Sequence, residues 1–140
     1  MAKSVLFVDD EDWSVSGYFD ILEDLGVAVD LARDADEATA LLRQKNYDLV
    51  VLDVMFPRGV EIEGGIEPQE TGLSFLQNLR GGKIVELKTS PEVPVIVLTA
   101  TIEQDIINEF KGKVTEIFRK PVIFRDVINK VCEVLGVNRD

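Results

Sequence analysis

Histidine is missing from this sequence altogether. Without it there is no Ser-His or Cys-His nucleophilic pair and no imidazole metal site. A single cysteine excludes an internal disulfide and fits a reducing compartment. That residue, Cys132, follows Ile128 by four positions and precedes Leu135 by three, the spacing of a buried helical stripe, so it reads as a core thiol. Basic residues are scarce: 15 Lys and Arg face 26 Asp and Glu, for a net charge of −11. This argues against nucleic acid or an anionic membrane as the direct partner, because phosphate groups attract Lys and Arg. No apolar run approaches the ~20 residues of a membrane span. The first strand runs straight into an acidic cluster, leaving no room for the charged and apolar regions of a secretory signal peptide. The expected setting is the cytoplasm.

What is present suffices for one core, since 46% of the 140 residues are hydrophobic. Strand and helix patterns alternate along the chain. Strands are expected at 5–8, 27–31, 48–54 ("DLVVLDV"), 93–100 ("VPVIVLTA") and 114–118. The third is continuously apolar, as expected when both faces of a parallel sheet are covered. Helical spacing covers 12 or 13 to 25, a segment capped by Asp34 or Asp36 and reaching about 45, then 72–80 ("GLSFLQNLR"), 102–111 and 124–135. Gly26 and Gly136 stand where helices should stop. Five strands, each followed by a helix, specify a doubly wound α/β domain with a five-stranded parallel sheet of the flavodoxin-like type.

In such sheets ligands gather at the carboxyl ends of the strands. Those ends carry Asp9 and Asp10 on the first strand, Asp53 on the third, Thr99 on the fourth, and Lys120 followed by Pro121 on the fifth. The run Asp9, Asp10, Glu11, Asp12 repels itself, so it is either a solubilising turn or a cation site in which a metal relieves the repulsion. Convergence of carboxylates, a hydroxyl and an ammonium on one crevice favours the second reading for Asp9 and Asp10. Glu11 and Asp12 read as an ordinary solvated turn and helix cap.

With "VLFVDDED", "YDLVVLDVMFP", "TG" before the third helix, "VPVIVLTA" and "FRKP" in this order over nearly the whole length, the chain resembles a receiver domain of two-component response regulators. The resemblance implies that Asp53 is the phosphoacceptor and that Mg²⁺ or Mn²⁺ is the cofactor. It implies that Asp10 ligates the metal directly, Asp9 through water, and Met55 through its backbone carbonyl, with Asp53 completing the metal set. It further implies that Thr99 binds a phosphoryl oxygen, that Lys120 pairs with the phosphate, and that the bond from Lys120 to Pro121 is cis. A histidine kinase or phosphotransfer protein would be the donor and a further protein the target. The fourth helix, fifth strand and fifth helix would be the partner surface, with a homodimer through the same elements as a further option.

The chemistry agrees with these roles. A nucleophilic carboxylate must be ionised, which an ammonium and a divalent cation favour. A transferring phosphoryl group spreads charge over three oxygens, which a hard cation, an ammonium and a hydroxyl can stabilise together. The chain departs from the family where an aromatic residue usually precedes the lysine by three: here that place holds Ile117, with Phe118 beside it. The loop at about 57–71 is long and acidic, and is either a lid or partner contact or a passive insertion. A second insertion, "GGKIVELKTSPE", should lie at the end of the sheet away from the chemistry. The chain reads as one receiver domain over residues 1–140, of the stand-alone type, acting as a signalling switch and not as a turnover enzyme. Two other readings stand beside it. One is a pseudo-receiver that binds partners without phosphorylation. The other is a phosphatase of the haloacid dehalogenase type, which wants a second acid where Met55 stands.

Overall fold

The runs VLFV, LVVL and VIVL form the three inner strands of a parallel sheet: β1 (Ser4–Val8), β3 (Leu49–Asp53) and β4 (Val95–Thr99). The computed structural model describes residues 2–9, 12–53, 68–99 and 104–138. Every residue of these three strands is buried, so both faces are covered and no alternation of polar and apolar side chains is needed. The edges are β2 (Ala28–Ala32) and β5 (Glu116–Arg119), in the spatial order β2-β1-β3-β4-β5. The helices are α1 (Asp12–Asp24), α2 (Ala35–Gln44), α3 (Pro68–Arg80), α4 (Gln104–Phe110) and α5 (Phe124–Leu135). None among the described residues is long and apolar enough to cross a membrane.

The pleat sends alternate strand residues into two cores. Leu6, Val8, Val50, Leu52, Val95 and Val97 pack with side chains of α2, α3 and α4. Val5, Phe7, Leu49, Val51, Ile96 and Leu98 pack with α1 and α5, whose inner stripe of Val127, Ile128, Val131, Cys132 and Leu135 is fully covered. Cys132 is thus the core thiol its spacing predicts. Each fully buried aliphatic side chain supplies about 1.5–3 kcal/mol of transfer free energy. Among these residues the inner layers carry the stability.

Caps and turns account for most element ends. Asp34, not Asp36, caps α2, its Oδ1 accepting from the Glu37 N–H at 2.8 Å. Gly26 (φ 82) follows α1, and Gly136 (φ 72) ends α5 in the left-handed conformation that glycine adopts without a Cβ clash. Several boundaries differ from the expected ones by one or more residues, and four of these have a visible cause. Val27 belongs to the turn closing α1, donating to the Leu22 carbonyl at 2.9 Å, so β2 starts one residue later than expected. Val114 fills the core from a turn, and pairing with β4 begins at Glu116, opposite Ile96. Helix α3 begins at Pro68, not at 72, because proline suits a first helical position that needs no N–H; the end of the expected long loop is therefore helical. Helix α4 stops at Phe110, one residue before the expected end, with Gly112 at φ 83.

The insertion after α3 lies at the opposite end of the sheet from the strand carboxyl ends, as expected. Lys88 and Thr89 donate their N–H groups to the Leu42 carbonyl at the end of α2. The Thr89 hydroxyl, almost fully buried, donates to the Lys45 carbonyl at 2.6 Å and accepts from the Tyr47 N–H at 3.0 Å. At the same end Arg80 donates to the carbonyls of Pro91, Val93 and Lys113, joining α3 to the chain entering β4 and to the turn after α4. Five donors in a fixed fork suit a guanidinium to this work.

Both tyrosines are held in the neutral form. Burial, then the hydrogen bond to Asp30 at 2.7 Å and the charge of that carboxylate, push Tyr47 well above the ordinary tyrosine value. Burial, then the charge of Asp9, raise Tyr18. A folded-state value above the unfolded one means that the unfolded chain releases protons first. Stability should therefore fall as the pH rises beyond about 10, the ordinary tyrosine value. In an alkaline titration the phenolate absorbance should rise together with loss of tertiary circular dichroism. A reversible step near the ordinary value with the dichroism intact would contradict this.

Candidate functional site

The site follows from strand register. Val8 lies opposite Leu52, so Asp9 and Asp53 leave β1 and β3 side by side. By the alternation of the pleat they continue the rows of Phe7 and Val51. Asp53 pairs with Leu98, which places Thr99 one step further along β4. Thr99 in turn pairs with Arg119, and the Lys120 N–H donates to the Thr99 carbonyl at 2.7 Å. The peptide bond from Lys120 to Pro121 is cis, as the resemblance implied. All these groups stand at the carboxyl end of the sheet around the β1–β3 switch in strand order, where a doubly wound fold opens its crevice.

Burial separates their characters. Asp9 is 4% exposed, Asp53 3% and Thr99 0%. Lys120 is a third exposed and reaches inward until its Nζ lies 2.6 Å from Asp53 Oδ2, a short charge-assisted contact. Two carboxylates are thus withdrawn from water beside one ammonium, and the charge of Asp9 is felt as far as Tyr18. Such a donor set suits a hard, oxygen-seeking cation and does not suit a soft one. Asp10 and Met55, named as metal ligands from the sequence, lie outside the described residues, as does most of the long acidic loop. Among the described residues no group of three or more acidic, histidine or cysteine side chains gathers as a metal site.

The departure at Ile117 is resolved by packing. Its side chain joins the core on the α3–α4 side, while Phe118 joins the core on the α1–α5 side. Phe118 is therefore a half-buried residue packed against that core, and its ring lies on the opposite face of β5 from Ile117. Ile107 and Phe110 of α4 are both buried; the third apolar residue of that helix, Ile106, lies outside the described side chains. Lys111 and Arg119, ordinary cations in the sequence, border a surface cleft beside Ile117. The period-2 alternation of β5, which puts Arg119 on the face of Ile117, is the signal that could have found Arg119.

Known proteins share this fold. A family model for the response regulator receiver domain matches residues 5–132. The sensor histidine kinase AruS of Pseudomonas aeruginosa is 29% identical over 136 residues, which are 95% of this chain and 12% of that protein. The transcriptional regulatory protein DltR of Streptococcus agalactiae serotype III is 33% identical over 96 residues, 69% of this chain and 35% of that protein. The chain therefore spans well under half the length of these relatives. Among solved structures, the receiver domain of a Francisella response regulator superposes with a TM-score of 0.73 at 26% identity, covering 96% of this chain and 97% of the other. The receiver domain of a sensor histidine kinase from Pseudomonas aeruginosa, with a magnesium ion coordinated in its active site cleft, gives 0.71 at 20% identity, covering 97% and 99%. With its strand order, its strand-end residues and a family match over nearly its whole length, the chain belongs to the response regulator receiver domains of two-component signalling.

Proposed function

We propose that this chain is a phosphoacceptor switch: Asp53 takes a phosphoryl group from a histidine kinase or phosphotransfer protein, and the change is passed on by protein contacts. The observation that carries the reading is the 2.6 Å pairing of Lys120 Nζ with the buried Asp53 carboxylate. In the reaction an oxygen of Asp53 bonds to phosphorus as the bond from phosphorus to the donor's histidine nitrogen breaks. Lys120 then faces phosphoryl oxygens in place of the free carboxylate, and the Thr99 hydroxyl donates to one of them. Asp9, Asp10, Asp53 and the Met55 carbonyl would hold Mg²⁺ or Mn²⁺, which when bound supplies positive charge against the transferring oxygens. Residues 1–140 act as one receiver domain in the cytoplasm, cycling between two states without turnover of a substrate. The face of α4, β5 and α5 carries the signal to a partner protein or to a second copy.

Treatment with acetyl phosphate and Mg²⁺, followed by mass spectrometry, tests the proposal. The expected result is one labile phosphoryl adduct on Asp53, which does not form when the metal is chelated before acetyl phosphate is added. An unmodified chain under conditions that load a control receiver would overturn it and leave the pseudo-receiver reading, to which Ile117 at the usual aromatic position lends its support.

A further inference from the structure

Gly17 stands inside α1 and at no left-handed turn, a place where glycine weakens a helix relative to alanine. Its neighbour explains it. A Cβ at this position would lie 3.2 Å from Phe124 Cε2 and 3.5 Å from Cζ, so the phenyl ring takes the space of a side chain. The same ring stacks on Tyr18, with centroids 4.4 Å apart and planes 22° from parallel. Tyr18 is buried and packs in turn against Phe7, at 5.6 Å between centroids. Phe7 belongs to β1, just ahead of Asp9. Phe124 is thus docked on a base that is part of the core. It is also the first residue of α5 and follows Lys120 after a short connection, residues 121–123. Within that connection Val122 is partly buried against the core, while Ile123 is 67% exposed and offers α5 no side-chain cap. On its other side Lys120 is tied to β4, its N–H donating to the Thr99 carbonyl. The lysine is therefore held by the sheet before it and by the ring of Phe124 after it.

We propose that Phe124 is a positioning residue for Lys120. Its stack on Tyr18 fixes the start of α5 against α1, and through the short connection this holds Lys120 Nζ on Asp53. Gly17 serves by leaving room for the ring. Exposure favours this role over plain core packing: at 37% exposed, the ring buries less than Phe7 or Phe110, yet α1 forgoes a side chain to seat it. The inference rests on the proposed function for what Lys120 does to a phosphoryl group. The contact of Lys120 with Asp53 is in the structure itself.

The test uses the full chain with isotope-labelled lysine and needs no partner protein. In carbon–proton magnetic resonance spectra the Cε signal of Lys120, assigned by its loss in Lys120→Met, should stand apart from those of solvated lysines. In Phe124→Ala it should move towards them. Loading of Asp53 by acetyl phosphate at saturating Mg²⁺ should slow by about tenfold, short of the roughly hundredfold that a misplacement of ~1 Å can cost. Phe124→Tyr keeps the ring and should match the parent in both readouts. A role in stability alone would lower the melting temperature and leave the Lys120 signal in place. Gly17→Ala reaches the same contact from the other helix: its Cβ presses on the ring, so the Lys120 signal should shift in the same direction although alanine favours the helix. That variant carries the test if Phe124→Ala does not fold. The Lys120 signal is read without phosphorylation, so it decides even where Asp53 accepts no phosphoryl group. A Lys120 signal unmoved in both variants, a folded Phe124→Ala that loads at the parent's rate, or Phe124→Tyr as impaired as Phe124→Ala would overturn the proposal.

Discussion

Asp53→Asn should leave the chain unable to form an acyl phosphate. An amide has nearly the shape of a carboxylate but lacks the ionised oxygen that attacks phosphorus, so the expected loss is complete within detection. Asp9, the other deeply buried carboxylate at the site, should not take over, because it leaves the neighbouring strand, whereas Lys120 Nζ lies directly against Asp53. The fold should survive the change. The substitution forfeits a charge-assisted bond of about 1.5–3 kcal/mol. It also removes one of two like charges buried side by side, which acts in the opposite direction. With Lys120 a third exposed and able to return to water, the melting temperature should move by only a few degrees. Mass spectrometry after acetyl phosphate treatment and a thermal melt check both halves. A phosphoryl group found on the variant, at Asp9 or elsewhere, would show that Asp53 is not the acceptor.

The inner strands were legible because their residues answer to a single requirement. Leu49 to Leu52 must be apolar on both faces, and so must the runs of β1 and β4, whatever surrounds them. Edge strands answer to less: β5 tolerates Glu116 and Arg119, so its apolar signal, led by Val114, pointed two residues too early. The start of α3 was visible in principle at Pro68 but was hidden by the polar turn that follows it. The placement of the candidate site was legible because ligands of a doubly wound sheet gather at strand carboxyl ends, and register alone brings Asp9, Asp53, Thr99 and Lys120 together there. The work of Arg80 and Thr89 was not legible. Each satisfies main-chain groups far away in sequence, and no local pattern encodes where a distant carbonyl will fall. Lys111 and Arg119 were missed for a related reason. An exposed cation is ordinary in a sequence, and only the fold puts these two on the lining of one cleft.

Lys120→Met should separate loading of the site from response to it. Methionine keeps much of the length of lysine and removes the ammonium. In the resting chain the Asp53 carboxylate, 3% exposed, then loses its cation at 2.6 Å while Asp9 stays buried on the next strand. Breaking a fully buried pair costs about 3–5 kcal/mol. Here the lysine is a third exposed and Asp53 keeps other interactions, so about 1–3 kcal/mol is the expected loss. Millimolar Mg²⁺ should then raise the melting temperature more in the variant than in the parent, because in the parent the ammonium already answers part of the negative charge that a cation would meet. Acetyl phosphate should still load Asp53, more slowly, since one of the positive groups facing the phosphoryl oxygens is gone. The conformational response should be the larger casualty. Lys120 follows directly on β5 and contacts Asp53, so on the proposed function its pull on a new phosphoryl oxygen would link the reacting group to the strand and to the helices packed on it. Amide hydrogen exchange in β5 and α4, compared before and after loading, should change in the parent and hardly at all in Lys120→Met. A variant that responds as fully as the parent, or one no less stable than the parent without metal, would show that Asp53 is sensed through another contact.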